Sequence, residues 1–174
     1  MSTNIQKTIR AELQKLVGYP LTRTTRASTM ECLKFGEYSV VDRRGDLYNI
    51  GKIGLHLQCA WRITRGRETV VGSSDLFAAE LEQPEDFDWE QFGNYRDRAL
   101  EKIIESKPTV QAVEADEWGG FQMKVGEYHV SVFPESGKRD EYTEYWRLLF
   151  NAEAPPRQVV VSPTGVWDSK KDSE

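Results

Sequence analysis

Residues 52–64 read KIGLHLQCAWRIT. Ile53, Leu55, Leu57, Cys59, Trp61 and Ile63 take every second position, with Gly54, His56, Gln58, Ala60, Arg62 and Thr64 between them. Side chains alternate across a β-strand, so the run has one apolar face and one small or polar face. The pattern predicts one unbroken strand of roughly 40 Å, at about 3.3 Å per residue. Such a strand belongs at the centre of an antiparallel sheet.

Downstream of this strand, Arg65-Gly66-Arg67 suits a hairpin loop and Glu68 to Gly72 a returning partner, which Ser73-Ser74-Asp75 then breaks. Upstream, strands are expected from about Ser28 to Phe35 and from Glu37 to Asp42. A turn at Arg43-Arg44-Gly45-Asp46 separates them from Leu47 to Ile50. Ile5, Ile9, Leu13, Leu16 and Val17 recur at three- and four-residue steps. They predict an amphipathic helix over about Thr3 to Val17 that Gly18 ends. Tyr95, Ala99, Leu100, Ile103 and Ile104 predict a second helix over about Trp89 to Ser106, with Asp86 or Asp88 as its cap and Lys107-Pro108 as its stop. Beyond it, strands are expected at Thr109 to Asp116, Phe121 to Val125, Tyr128 to Phe133, Trp146 to Phe150 and Val159 to Val161.

This order implies an α+β fold, mostly antiparallel, with an N-terminal and a central helix. The chain of 174 residues suits one compact domain. Two β-rich groups, about 1–78 and 107–168, are candidates for similar halves joined by a helix-containing segment. In each, an aromatic-Arg strand (Trp61-Arg62-Ile63, Trp146-Arg147-Leu148) precedes a Val-rich partner. The two spacings differ, so duplication and coincidence both stay open.

Charge is divided unevenly. Residues 1–67 hold 12 of the 23 Lys+Arg but only 5 of the 28 Asp+Glu, so the remainder is strongly acidic and the net charge is −5. Either the two parts neutralise each other in the fold, or the molecule presents a basic and an acidic face to partners. The apolar runs are too short for a bilayer. The N-terminus has no apolar secretory core, which points to a cytoplasmic protein with Cys32 and Cys59 reduced. An acidic chain with scattered arginines argues against nucleic acid as the partner.

Several constellations carry chemistry in principle. His56, Gln58 and Arg62 share the polar face of the long strand and, with Asp75, would suit a carboxylate or phosphate ligand if that face is open. Under a covering helix they would instead be partnered structural groups. Ser73-Ser74-Asp75 near His56 lacks the Gly-x-Ser-x-Gly order of a nucleophile elbow and reads as a turn. No catalytic set, metal-ligand spacing or cofactor-binding loop is present in the sequence. Residues Glu80 to Glu90 hold six carboxylates, and Asp86, Phe87, Asp88 and Trp89 alternate acids with aromatics. That mixture fits a protein-binding surface, where aromatics anchor and acids steer.

The segments Val132-Phe133-Pro134-Glu135, Glu144-Tyr145-Trp146-Arg147-Leu148 and Val159-Val160-Val161 resemble a pattern in small uncharacterised bacterial proteins, some of them immunity-like partners of toxins. Leu57 to Arg62 is similar to a segment of such proteins as well. The resemblance covers about the last quarter of the chain. It implies an immunity-like role and brings no catalytic residue with it; the charge division, the acidic-aromatic segment and the absence of a catalytic set point to a non-enzymatic macromolecule-binding protein. The alternative from the residues themselves is a small-ligand-binding protein or hydrolase using the polar face of 52–64. Oligomeric state is not encoded in any of these features.

Overall fold

The computed structural model describes residues 4–77, 94–140 and 142–171. Helix α1 spans Asn4–Leu13 and tightens into a 3-10 turn at Gln14–Leu16. Seven strands follow: β1 (Leu21–Ala27), β2 (Met30–Phe35), β3 (Ser39–Val41), β4 (Leu47–Asn49), β5 (Ile53–Leu57), β6 (Ala60–Arg65) and β7 (Glu68–Gly72). After a 3-10 turn at Ser73–Phe77 come helix α2 (Tyr95–Glu105) and strands β8 (Val110–Ala115), β9 (Phe121–Val125), β10 (Tyr128–Phe133), β11 (Trp146–Phe150), β12 (Arg157–Ser162) and β13 (Gly165–Asp168). All pairings between these strands are antiparallel, giving an α+β architecture with two helices among the described residues.

The stretch 52–64 is not one strand. β5 lies third in a six-stranded sheet of order β1-β2-β5-β11-β12-β13, and β6 lies second in a five-stranded sheet of order β7-β6-β10-β9-β8. The chain leaves one sheet and enters the other at Gln58 and Cys59, whose backbone N–H groups both donate to the Tyr145 carbonyl, at 2.9 and 3.1 Å. Alternation passes through this corner without a fault. Ile53, Leu55, Leu57, Trp61 and Ile63 are all buried, so both sheets turn the same face of the run inward. Each sheet takes strands from both sequence groups, β1, β2 and β5 with β11 to β13, and β6 and β7 with β8 to β10.

One core lies between the sheets. Trp146, fully buried, meets Phe121 of the opposite sheet edge-to-face at 5.2 Å, a favoured aromatic geometry. Its indole N–H donates to the Gly119 carbonyl at 2.7 Å, so the polar atom is satisfied. The helices close the two sides. α1 packs against β8 and β13, and α2 packs against β1 and β7, the edge strands of both sheets. Ile9, Leu13 and Leu16 of the first helical segment are wholly buried. Each contributes about 1.5–3 kcal/mol, holding in place a helix too short to persist alone.

The structure corrects three further expectations. α2 is capped by Asn94, whose Oδ1 accepts the Asp97 N–H at 3.0 Å. β1 was not anticipated, because LTRTTRA shows no apolar alternation. β13 was missed as well, its four residues lying beyond the Val-rich strand. Cys32 and Cys59 are free thiols, the first buried and the second half-buried. Burial pushes the Cys59 thiol up to about 12. Among the described residues, no helix is long and apolar enough to cross a membrane.

Candidate functional site

The corner separates the four residues expected to share a ligand. His56 stands half-buried on the outer face of the six-stranded sheet, between Cys32 and Arg147 on the neighbouring strands. Burial and then the Arg147 charge lower its pKa against the opposing pull of Glu144, leaving a neutral imidazole at neutral pH. Arg147 is itself engaged by Glu144 through Nε at 2.6 Å and through Nη2. Gln58 is exposed at the corner. Arg62 belongs to the other sheet, exposed, with its guanidinium 5.1 Å from the Phe133 ring. Asp75 accepts the Gly72 N–H at 2.7 Å and closes the turn after β7. Ser73 likewise serves the backbone, accepting from the Trp61 N–H at 3.3 Å. The outer faces of two different sheets therefore hold groups that a straight strand would have gathered. Asp86, Phe87, Asp88 and Trp89 lie outside the described residues. Among the described residues no three His, Cys, Asp or Glu side chains cluster as metal ligands.

A different feature stands out. β3 and β4 pair only with each other among the described strands, forming a separate two-stranded arm. A lone hairpin is marginal in water, so it needs anchors. Asn49 supplies the root: its Oδ1 accepts the N–H groups of Tyr38 at 3.2 Å and Gly51 at 2.9 Å. Tyr48 supplies the underside. Its ring lies 4.3 Å from the Arg23 guanidinium and 4.5 Å from the Lys34 ammonium, and its hydroxyl accepts from Lys34 Nζ at 2.8 Å. That hydrogen bond, reinforced by the two cations, lowers the phenol pKa. At the tip, Asp42 Oδ1 accepts from the backbone of Arg44 at 2.7 Å and of Asp46 at 3.0 Å, and Gly45 takes the positive φ of 89° that the turn requires.

The other face of the arm is open. Val41 and Leu47 sit opposite one another in the ladder and are 64% and 78% exposed. Arg43 and Arg44 flank them at the exposed tip. The turn and the strand before it are legible in the sequence, whereas Leu47 to Ile50, expected to lead into the long strand, forms the separate strand β4. Which face would be left bare is not legible, because Val40, Val41, Leu47 and Tyr48 are all apolar or aromatic and only the packing of Tyr48 decides the matter.

A buried ion pair was also missed. Arg96 of α2, wholly buried, lies 3.3 Å from the Glu31 carboxylate of β2 and 5.7 Å from the Trp61 ring. It donates to the carbonyls of Ser73 and Thr29 at 3.3 and 3.4 Å. Burial pushes the Glu31 carboxyl up to about 7, only partly offset by Arg96. The partners are far apart in sequence, so no local pattern announces them. No family model, curated protein or solved structure matches the chain.

Proposed function

We propose that the protein is a non-enzymatic binding module that recognises another protein, with the β3–β4 arm as its contact surface. The observation that supports this is the facing pair Val41 and Leu47, bare on a hairpin anchored by its opposite face. An apolar centre flanked by arginines is the composition of an interface core, in which a few residues carry most of the energy. The partner it fits has an apolar recess bordered by carboxylates that meet Arg43 and Arg44. The immunity-like form of this reading, with a toxin as the partner, rests on the resemblance of the terminal strands. A photo-crosslinker at position 47 should trap one protein from native lysate. Leu47→Asp should weaken that complex by about 2 kcal/mol, roughly thirtyfold in Kd, with the fold unchanged. If the purified protein is instead a dimer that Leu47→Asp converts to monomer, the arm joins two copies and the reading fails.

A further inference from the structure

At one end of the sandwich, three connections meet over a cleft of about 580 Å³: the β8–β9 turn, the β10–β11 loop and the β12–β13 turn. This is within the size range of small-ligand sites. Trp118 stands at its rim, 73% exposed. Such exposure of an indole is ordinarily tolerated on a pliant loop, but this turn is locked. Asp116 Oδ1 accepts the N–H groups of Trp118 and Gly120, each at 2.8 Å, and Asp116 N–H returns to the Gly120 carbonyl at 3.0 Å. Gly119 has φ +92°, and a Cβ there would meet Tyr145 and Val161 at 3.4 Å. A Cβ on Gly120 would lie 2.4 Å from the Asp116 carboxylate and 2.7 Å from the Val132 carbonyl. The turn therefore fixes the backbone from which the indole projects. Tyr145, nearly buried, braces the β10–β11 loop by donating its hydroxyl to the Ser136 carbonyl at 2.7 Å.

The charged groups of the cleft narrow its occupant. Arg139, Glu117 and Glu135 all line it, and among the described residues no hydrogen bond or ion pair engages their side chains. Free charges of both signs in one cleft favour neither an anion nor a cation. They suit a neutral ring bearing adjacent hydroxyls, each able to accept from a guanidinium and donate to a carboxylate. The C–H face of such a ring stacks on an indole, whose face carries partial negative charge. We infer that this cleft is a saccharide-binding site, with Trp118 as its stacking platform and Arg139, Glu117 and Glu135 as its hydroxyl ligands.

The test is calorimetric titration of the whole protein at millimolar concentrations of neutral hexasaccharides (chitohexaose, maltohexaose, xylohexaose), with heparin and polylysine as charged comparators. The expected result is saturable binding of at least one neutral sugar. Trp118→Ala should abolish it and Arg139→Ala should reduce it about tenfold or more, while the arm variant Leu47→Asp binds as the wild type does. Both altered residues are exposed, so folding is checked simply by an unchanged thermal midpoint. Silence with all three sugars overturns the inference. So does preference for either charged polymer, or sugar binding indifferent to Trp118→Ala and Arg139→Ala.

Discussion

The two sides of the sandwich are closed in the same way, by a helix clasped to the strands through a buried arginine, yet the two clasps differ in completeness. On the α1 side, Arg157 is 7% exposed and meets two carboxylates in forked pairs: Glu12 of the helix at 2.9 and 2.9 Å, and Asp168 of β13 at 2.9 and 2.7 Å. On the α2 side, Arg96 meets the single carboxylate of Glu31 without hydrogen-bond geometry, and among the described residues Arg96 Nε and Nη2 and Glu31 Oε2 have no hydrogen-bond partner. A buried charge is tolerated only when its hydrogen bonds are made. The first clasp is thus a saturated network and the second a strained compromise between desolvation and attraction.

Breaking the saturated clasp should cost the most. Arg157→Ala leaves Glu12 and Asp168 facing each other with little solvent, and we expect a loss of about 3–5 kcal/mol in chemical denaturation. Arg157→Lys should recover only part of it, since an ammonium cannot fork to two carboxylates at once. A loss below about 1 kcal/mol would show that the ordered geometry contributes little in solution.

The two sides should also respond to pH in opposite directions. Hydrogen bonds from Arg157 hold the Asp168 carboxyl at about 2. Burial pushes Glu12 up, but hydrogen bonds from Arg157 and Lys15 outweigh it and leave a net lowering. Stability from these depressed groups is present above the ordinary carboxylate range and is lost as pH falls through it towards about 2. Glu31 is the reverse. Its folded value of about 7 exceeds the ordinary 4.5, so its contribution is complete below 4.5 and is lost as pH rises to about 7. Thermal midpoints should therefore decline between about pH 5 and 7.5, and Glu31→Gln should flatten that decline while leaving the acid limb intact. An unchanged slope in Glu31→Gln would place the titration elsewhere.

The same contrast explains what the sequence reveals. The stripe of Ile9, Leu13 and Leu16 and the alternation within 52–64 are local periodicities imposed by one buried face, so they are visible without coordinates. The corner at Gln58 and Cys59 is not, because a bend that keeps the same face inward leaves the alternation untouched. That single bend dispersed the anticipated group of His56, Gln58 and Arg62. β1 escaped notice because its threonines and arginines pack beside α2 at a sheet edge, where no strict period is demanded. The cleft walls come from three connections whose convergence depends on the interleaved strand order, and the arm's bare face depends on where Tyr48 docks. Contacts between remote segments leave no period to read.

The smallest effect is expected from replacing the incomplete clasp altogether, and it is the sharpest test of the comparison. Arg96→Met alone strands a carboxylate that burial already drives towards protonation. Its penalty should therefore grow with pH, being larger at pH 8 than at pH 5.5. Adding Glu31→Leu removes the stranded group, and the pair then places two apolar side chains beside Trp61, where the guanidinium now lies. Replacement of a buried ion pair by hydrophobic residues of similar volume is often neutral or stabilising. The double variant should fall within about 1 kcal/mol of the wild type and lose the pH dependence of the single one. The coupling between the two sites, read from the full mutant cycle, should be favourable and comparable to the single-site loss. The equivalent exchange around Arg157 must accommodate two carboxylates on two elements, and there the apolar substitute should remain well below the wild type. If both exchanges prove equally harmless, completeness of hydrogen bonding does not distinguish the two sides of this fold.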